Sequence, residues 1–196
     1  YLENIYQEFC SGKQDIGAIR NFVKYVYNNA SSPEKKVKYL NIFGDASYDF
    51  KDRIQNNTNI VPIYHALNSY DLGNSSFASD DYFGMMDDNE GNIDPPFSQA
   101  QTDIALGRMI ASSTTQADEL VNKVIDYYDE KSFGNWRNNF VIIADDADET
   151  SDASLQSSLN NLSEKIVSEK PFLNANKILL DSYVQEASAG GSRYPK

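Results

Sequence analysis

The chain has 196 residues, 40% of them hydrophobic, with 29 acidic against 17 basic side chains and a formal net charge of −12. Its 13 Tyr and 10 Phe supply bulky core material, so it folds, and its charge argues against nucleic acid as a partner because phosphate recognition needs a basic face. One cysteine excludes an internal disulfide framework, and no apolar run reaches transmembrane length.

The opening YLENIYQEF reads as the interior of a domain, and both ends are expected to be cuts in a longer polypeptide. SGKQD then turns the chain and places Asp15 as N-cap or first-turn acid. Ile16, Ile19, Phe22, Val23, Val26 and Tyr27 recur at helical spacing. Asn28-Asn29 and Ser31-Ser32-Pro33 end that helix. Val37–Phe50, VKYLNIFGDASYDF, holds the first buried strand, whose lack of alternation suits cover by helices on both faces. It stops at Gly44-Asp45, putting a carboxylate at the edge where open α/β sheets bind ligands. Asp49 follows in a polar turn.

Ile60–Tyr64 is a short extended piece that Pro62 confines to a sheet edge. Asn68–Asp81 is polar and too long for a simple connector. Tyr82–Met86 reads as a hairpin arm with Asp87–Asn92 as its turn. Asp103–Arg108 is the second buried strand. Its helix starts around Ser113–Gln116, with Leu120, Val121, Val124, Ile125 and Tyr128 on one face. Phe140–Ala144 is the clearest buried strand and ends on Asp145-Asp146-Ala147-Asp148. A helix from Asp152 to about Lys165, a strand Ile178–Leu180 ending on Asp181, and a loop-like tail from Glu186 to Lys196 complete the chain. The alternation predicts a three-layer α/β/α sandwich with a mostly parallel sheet. Right-handed crossovers then gather Asp45, Arg108, Asp145 or Asp146, and Asp181 on one side.

Residue chemistry alone gives a site rim without a nucleophile. Acids after strands also serve as helix N-caps. DDNEGN lacks the spacing and closing Glu of an EF-hand, so it reads as a turn. His65, the single histidine, stands among apolar residues in VPIYHAL and reads as structural. Cys10 has no neighbouring base to make a thiolate. HExxH, CxxC, GxSxG and phosphate-binding glycine loops are all missing.

Several stretches together carry a resemblance: IYQEFCSGKQDIGAIRNFVKYVY, KYLNIFGDASYDFKDR, VPIYHALNS, FASDDYFGMMDDNEG, DIALGRMIASSTTQADELVNKVIDYY, GNWRNNFVIIADDAD and AGGSRYPK. In this order they resemble the gingipain-type cysteine peptidases, of caspase-like fold. The resemblance implies a Cys–His dyad, the histidine in a glycine-flanked GHG-type motif, with both residues falling after Lys196. The chain then holds a first α/β subdomain, residues 1–135, and the incomplete start of the dyad-bearing one, residues 136–196. Asp145, Asp146 or Asp148 becomes the acid that orients the histidine, and Asp152 and Asp181 fall to the substrate-binding side. No cofactor is required. Structural calcium, which members of this family bind, would fall to Asp45, Asp49, Asp80, Asp81 and Asp87.

Within the family, the type IX secretion signal peptidase/sortase branch of the Bacteroidetes is the nearest in pattern. That branch implies an exported protein at the cell surface and outer membrane, acting on the C-terminal sorting domains of protein substrates beside an outer-membrane secretion partner. The chain by itself would be inactive. An exposed sheet edge would permit self-association. Two other readings stay open: a non-catalytic gingipain-like binding or scaffold module with an acidic calcium-binding rim, and a metal-dependent phosphoesterase using the strand-end aspartates.

Overall fold

A computed structural model describes residues 1–66, 76–93, 101–146, 154–184, 186–188 and 191–193. The chain divides into two compact units, Tyr1–Asp126 and Tyr127–Lys196. In the first, α1 (Leu2–Phe9) lies against α2 (Ile16–Asn28). Asp15 sits in extended backbone at the head of α2, and its Oδ1 accepts the N–H groups of Gly17 at 2.5 Å and Ala18 at 3.3 Å. Two orphan donors of the first turn are thereby satisfied, as the sequence predicts for this acid.

Strands β1 (Tyr39–Phe43) and β4 (Ala105–Met109) pair in parallel, in register from Tyr39↔Ala105 to Phe43↔Met109. The two helices cover one face of this pair. Tyr6, Ala18, Ile19, Ile42, Val61 and Phe83 form one buried cluster, joined by Leu40 and Leu106, and Val23, Met86 and Ile104 form a second. Each of the large apolar side chains here stabilises by roughly 1.5–3 kcal/mol on burial, which makes this face the source of the unit's stability. The other face of β1 carries Tyr39 and Phe43 exposed.

In the sequence between β1 and β4 come β2 (Tyr64–His65) and β3 (Ala78–Ser79), a two-residue antiparallel ladder of their own extended by the Ala66 N–H donating to the Phe77 carbonyl. Tyr82–Met86 is not the hairpin arm its pattern suggests. Asp81–Gly84 forms a 3₁₀ turn instead. Phe83, Met85 and Met86 are all buried while Tyr82 stacks on Tyr64 at 5.2 Å, so the segment packs by turning inward rather than by alternating across a sheet. α3 (Thr114–Tyr128) opens where predicted, with the Ser113 hydroxyl accepting the Gln116 N–H and the Gln116 side-chain oxygen accepting from Ser112.

In the second unit, β5 (Asn139–Ala144) and β6 (Asn174–Leu179) pair in parallel without offset, and α4 (Leu155–Glu169) packs on them over Ile142 and Ala144. β6 starts four residues before the apolar run the sequence offers, because its alternation is built from Asn174, Ala175, Asn176 and Lys177. The tail is likewise not all loop: β7 (Glu186–Ser188) and β8 (Gly191–Arg193) form an antiparallel pair. The α/β class with parallel pairing stands as expected. Among the described residues, no helix is long and apolar enough to cross a membrane.

Candidate functional site

The carboxyl end of β1 is held by an exact backbone fit around Gly44. Its N–H donates to the Met109 carbonyl, its φ is +148°, and a Cβ there would stand 2.6 Å from a Val61 methyl. Only glycine serves at such a point. Asp45 follows and is spent locally. Its Oδ1 accepts the Ala46 N–H at 2.8 Å, its Oδ2 accepts the Thr58 hydroxyl at 2.5 Å, and its carbonyl accepts the N–H groups of Ile60 and Val61.

Asp49 is also turned inward, 9% exposed, with Oδ2 accepting the N–H groups of Arg53 and, at 2.6 Å, Ile54. The Ile54 bond, against the opposing effect of burial and with the help of Arg53, holds its carboxyl below the ordinary carboxylate range. A depressed native pKa means stability present above the unfolded value of about 4 and lost as pH falls through the lower native value. The Asp49→Asn variant should therefore be less stable than the parent at neutral pH, with the gap closing on acidification below about pH 4. Urea unfolding at stepped pH checks this, and a gap constant down to pH 2 would refute it.

The residue that organises this edge is Arg108, near the end of β4. Its side chain is 8% exposed and Asp80, its partner, 19%. Nε and Nη2 donate to the two Asp80 carboxylate oxygens at 2.8 and 2.6 Å. Nη1 donates to the carbonyls of Gly44 and Val61, both at 2.9 Å, and Nη2 also to Pro62 at 3.3 Å. All five guanidinium donors are therefore used. Asp80 was expected at a calcium loop and is instead the fixed counter-ion of Arg108. The signal was present in the sequence, since SDDYFG and DIALGR each carry one member of the pair.

Two further candidate acids, Asp81 and Asp87, lie in turns that their backbone N–H groups help to close. The Asp81 N–H donates to the Ser79 hydroxyl, and the Asp87 N–H to Glu90. The Asp87 carbonyl accepts from Arg20, and Asp88 pairs with Lys24 at 2.7 Å, the hydrogen bond from Lys24 lowering the Asp88 pKa. Among the described residues no three His, Cys, Asp or Glu side chains gather where they could hold a metal ion. Both carboxylate oxygens of Asp45 and of Asp80 are already hydrogen-bonded within the fold, and Asp49 is bonded through Oδ2.

His65 and Cys10 keep the structural roles read for them. The His65 Nε2 lies 3.1 Å from the Ser47 carbonyl and its ring meets Phe50 at 6.5 Å. The half-buried Cys10 thiol donates to the Lys13 carbonyl at 3.0 Å. No hydrogen bond links the two among the described residues.

In the second unit the in-register pairing ends at Ala144↔Leu179, which brings Asp145 and Asp181 to one edge, Asp181 within the 3₁₀ turn Leu180–Ser182. Asp145 is exposed. Its Oδ1 accepts the Asp146 N–H at 3.1 Å, and its carbonyl accepts from the Gln156 side chain at 2.8 Å, which ties the strand end to α4. Asp148 and Asp152 lie outside the described residues.

The model of peptidase family C25 matches residues 1–196. The crystal structure of dimeric latent PorU from Porphyromonas gingivalis is similar, at 28% identity and a TM-score of 0.54 over 69% of this chain. The chain spans 13% of that protein's length. No curated protein matches.

Proposed function

The chain belongs to peptidase family C25, the gingipain family of cysteine peptidases, and on that premise we propose that it is the front part of the catalytic domain of an exported cell-surface endopeptidase. The observation that carries the reading is the family match over residues 1–196, joined to the PorU likeness. The proposed type is the type IX secretion signal peptidase/sortase, which removes C-terminal sorting domains from protein substrates beside an outer-membrane partner.

The dyad is proposed to come from sequence outside residues 1–196. No hydrogen bond joins Cys10 to His65 among the described residues, which supports placing the dyad elsewhere. In the proposed mechanism a cysteine thiolate attacks the substrate carbonyl, backbone N–H groups stabilise the oxyanion, and the histidine passes its proton to the leaving amine. Water, or an amine in the transfer reaction, then releases the acyl group. The chain's own part is to hold an acid after the carboxyl end of β5, where Asp145, Asp146 or Asp148 accepts the imidazole N–H and fixes its tautomer.

The test is turnover. The full gene product should cut a fusion protein ending in a C-terminal sorting domain, and the 196-residue chain should leave it intact. Cleavage by the chain alone would overturn the assignment of the dyad.

A further inference from the structure

The ladder between β5 and β6 stops at Ala144↔Leu179, so the Asp145 carbonyl is the first acceptor past its end. The side chain of Gln156, the second residue of α4, reaches that carbonyl across eleven residues of chain, with Nε2 donating at 2.8 Å. The helix is a firm support for such a bond. It packs on both strands, and Lys177 of β6 donates to Asn160 and Glu164 on it. Ile142 and Ala144 are buried beneath α4, so the backbone is held up to the residue where Gln156 takes over. The type of side chain also matters. An amide is neutral and fixes a carbonyl without becoming the counter-ion of the carboxylate beside it. Arg108 does the opposite in the first unit, where it takes both carboxylate oxygens of Asp80.

We propose that Gln156 is a positioning residue for the peptidase reaction. It fixes the backbone from which the histidine-orienting acid is presented, and it acts through that acid rather than on the substrate. The proposal rests on the catalytic reading above, in which the acid follows β5. Asp145, Asp146 and Asp148 all leave the strand past this one carbonyl, so the bond bears on whichever of them meets the imidazole. Its contribution is orientation. An acid free to swing about the strand end spends part of its time out of reach of the histidine. Misplacing a group by about 1 Å costs up to about 10²-fold in rate.

Gln156→Ala and the near-isosteric Gln156→Glu, made in the full gene product, test it, because an ionised glutamate has no N–H to give the carbonyl. Both should lower kcat on the sorting-domain fusion about tenfold and leave KM unchanged. Amide hydrogens over Ala144–Asp146 should exchange faster, while the midpoint of urea unfolding stays near the parent's. The loss should vanish in the background of whichever variant among Asp145→Ala, Asp146→Ala and Asp148→Ala disables turnover, because residues acting through one step do not add. An equal loss in that background, or a raised KM in place of the lowered kcat, would overturn the proposal. So would parent-like kcat in both Gln156 variants beside a disabled acid variant, which leaves the catalytic reading standing. Full turnover in all three acid variants would overturn that reading and this proposal with it.

Discussion

Replacing Arg108 by alanine should destabilise the first unit by about 3–5 kcal/mol, the cost typical of breaking a buried ion pair by removing one partner. The size follows from what is left behind. Asp80 keeps a mostly buried carboxylate with neither of its arginine donors, and the carbonyls of Gly44, Val61 and Pro62 lose theirs. Those carbonyls belong to two separate pieces of chain, Gly44 at the end of β1 and Val61-Pro62 beside it, so the loss spreads across the edge rather than staying at one contact. Arg108→Lys should rescue little, because an ammonium offers three donors where five are used and cannot make the planar two-bond contact with Asp80. Joint replacement of Arg108 by Met and Asp80 by Leu should recover part of the loss, since no charge is then left unpaired, but not all of it, since the carbonyls stay orphaned. Urea unfolding followed by circular dichroism measures all three. A loss below about 1 kcal/mol in Arg108→Ala would place the pair among ordinary surface bridges.

The second large effect concerns turnover. In the full gene product, one of Asp145→Ala, Asp146→Ala and Asp148→Ala should lower kcat by about 10²–10⁴, as loss of the acid behind a catalytic histidine does elsewhere. KM should change little, because the acid acts on the histidine and not on the substrate. Folding of the Asp145→Ala variant should be nearly untouched, as Asp145 is exposed and its carboxylate accepts only the neighbouring Asp146 N–H among the described residues. A pH profile separates this role from a structural one. A carboxylate beside an imidazole favours its charged form, so removing it lowers the histidine pKa and moves the alkaline limb of kcat/KM to lower pH. Unchanged turnover in all three variants would remove the orienting acid from this cluster.

What the sequence makes legible follows from how local the physics is. Asp15 and the stripe from Ile16 to Tyr27 specify α2 because cap and periodicity act within one element. β1, β4 and β5 are legible as short apolar runs ending on Gly, Arg or Asp. Tyr82–Met86 is not, because two methionines and an aromatic pair satisfy a strand pattern and an inward-packed turn equally well. β6 is hidden for the opposite reason: its first half alternates in polar residues, and pairing with β5 rather than propensity makes it a strand.

The rim acids mark the sharper limit. Asp45 and Asp80 stand where ligand-binding carboxylates stand in open α/β sheets, yet one is bonded to Thr58 and the other to Arg108. Position after a strand fixes which edge a carboxylate reaches. Partners 13 and 28 residues away in the chain decide whether it is available there.

The central claim is that this chain helps build a cysteine peptidase whose nucleophile is not Cys10. An electrophilic peptidyl thiol probe, reacted with the full gene product and with the 196-residue chain and followed by peptide mapping, tests it most directly. The account predicts labelling of the full product at a cysteine outside residues 1–196, with Cys10 unmodified in both samples. Labelling at Cys10 would contradict it.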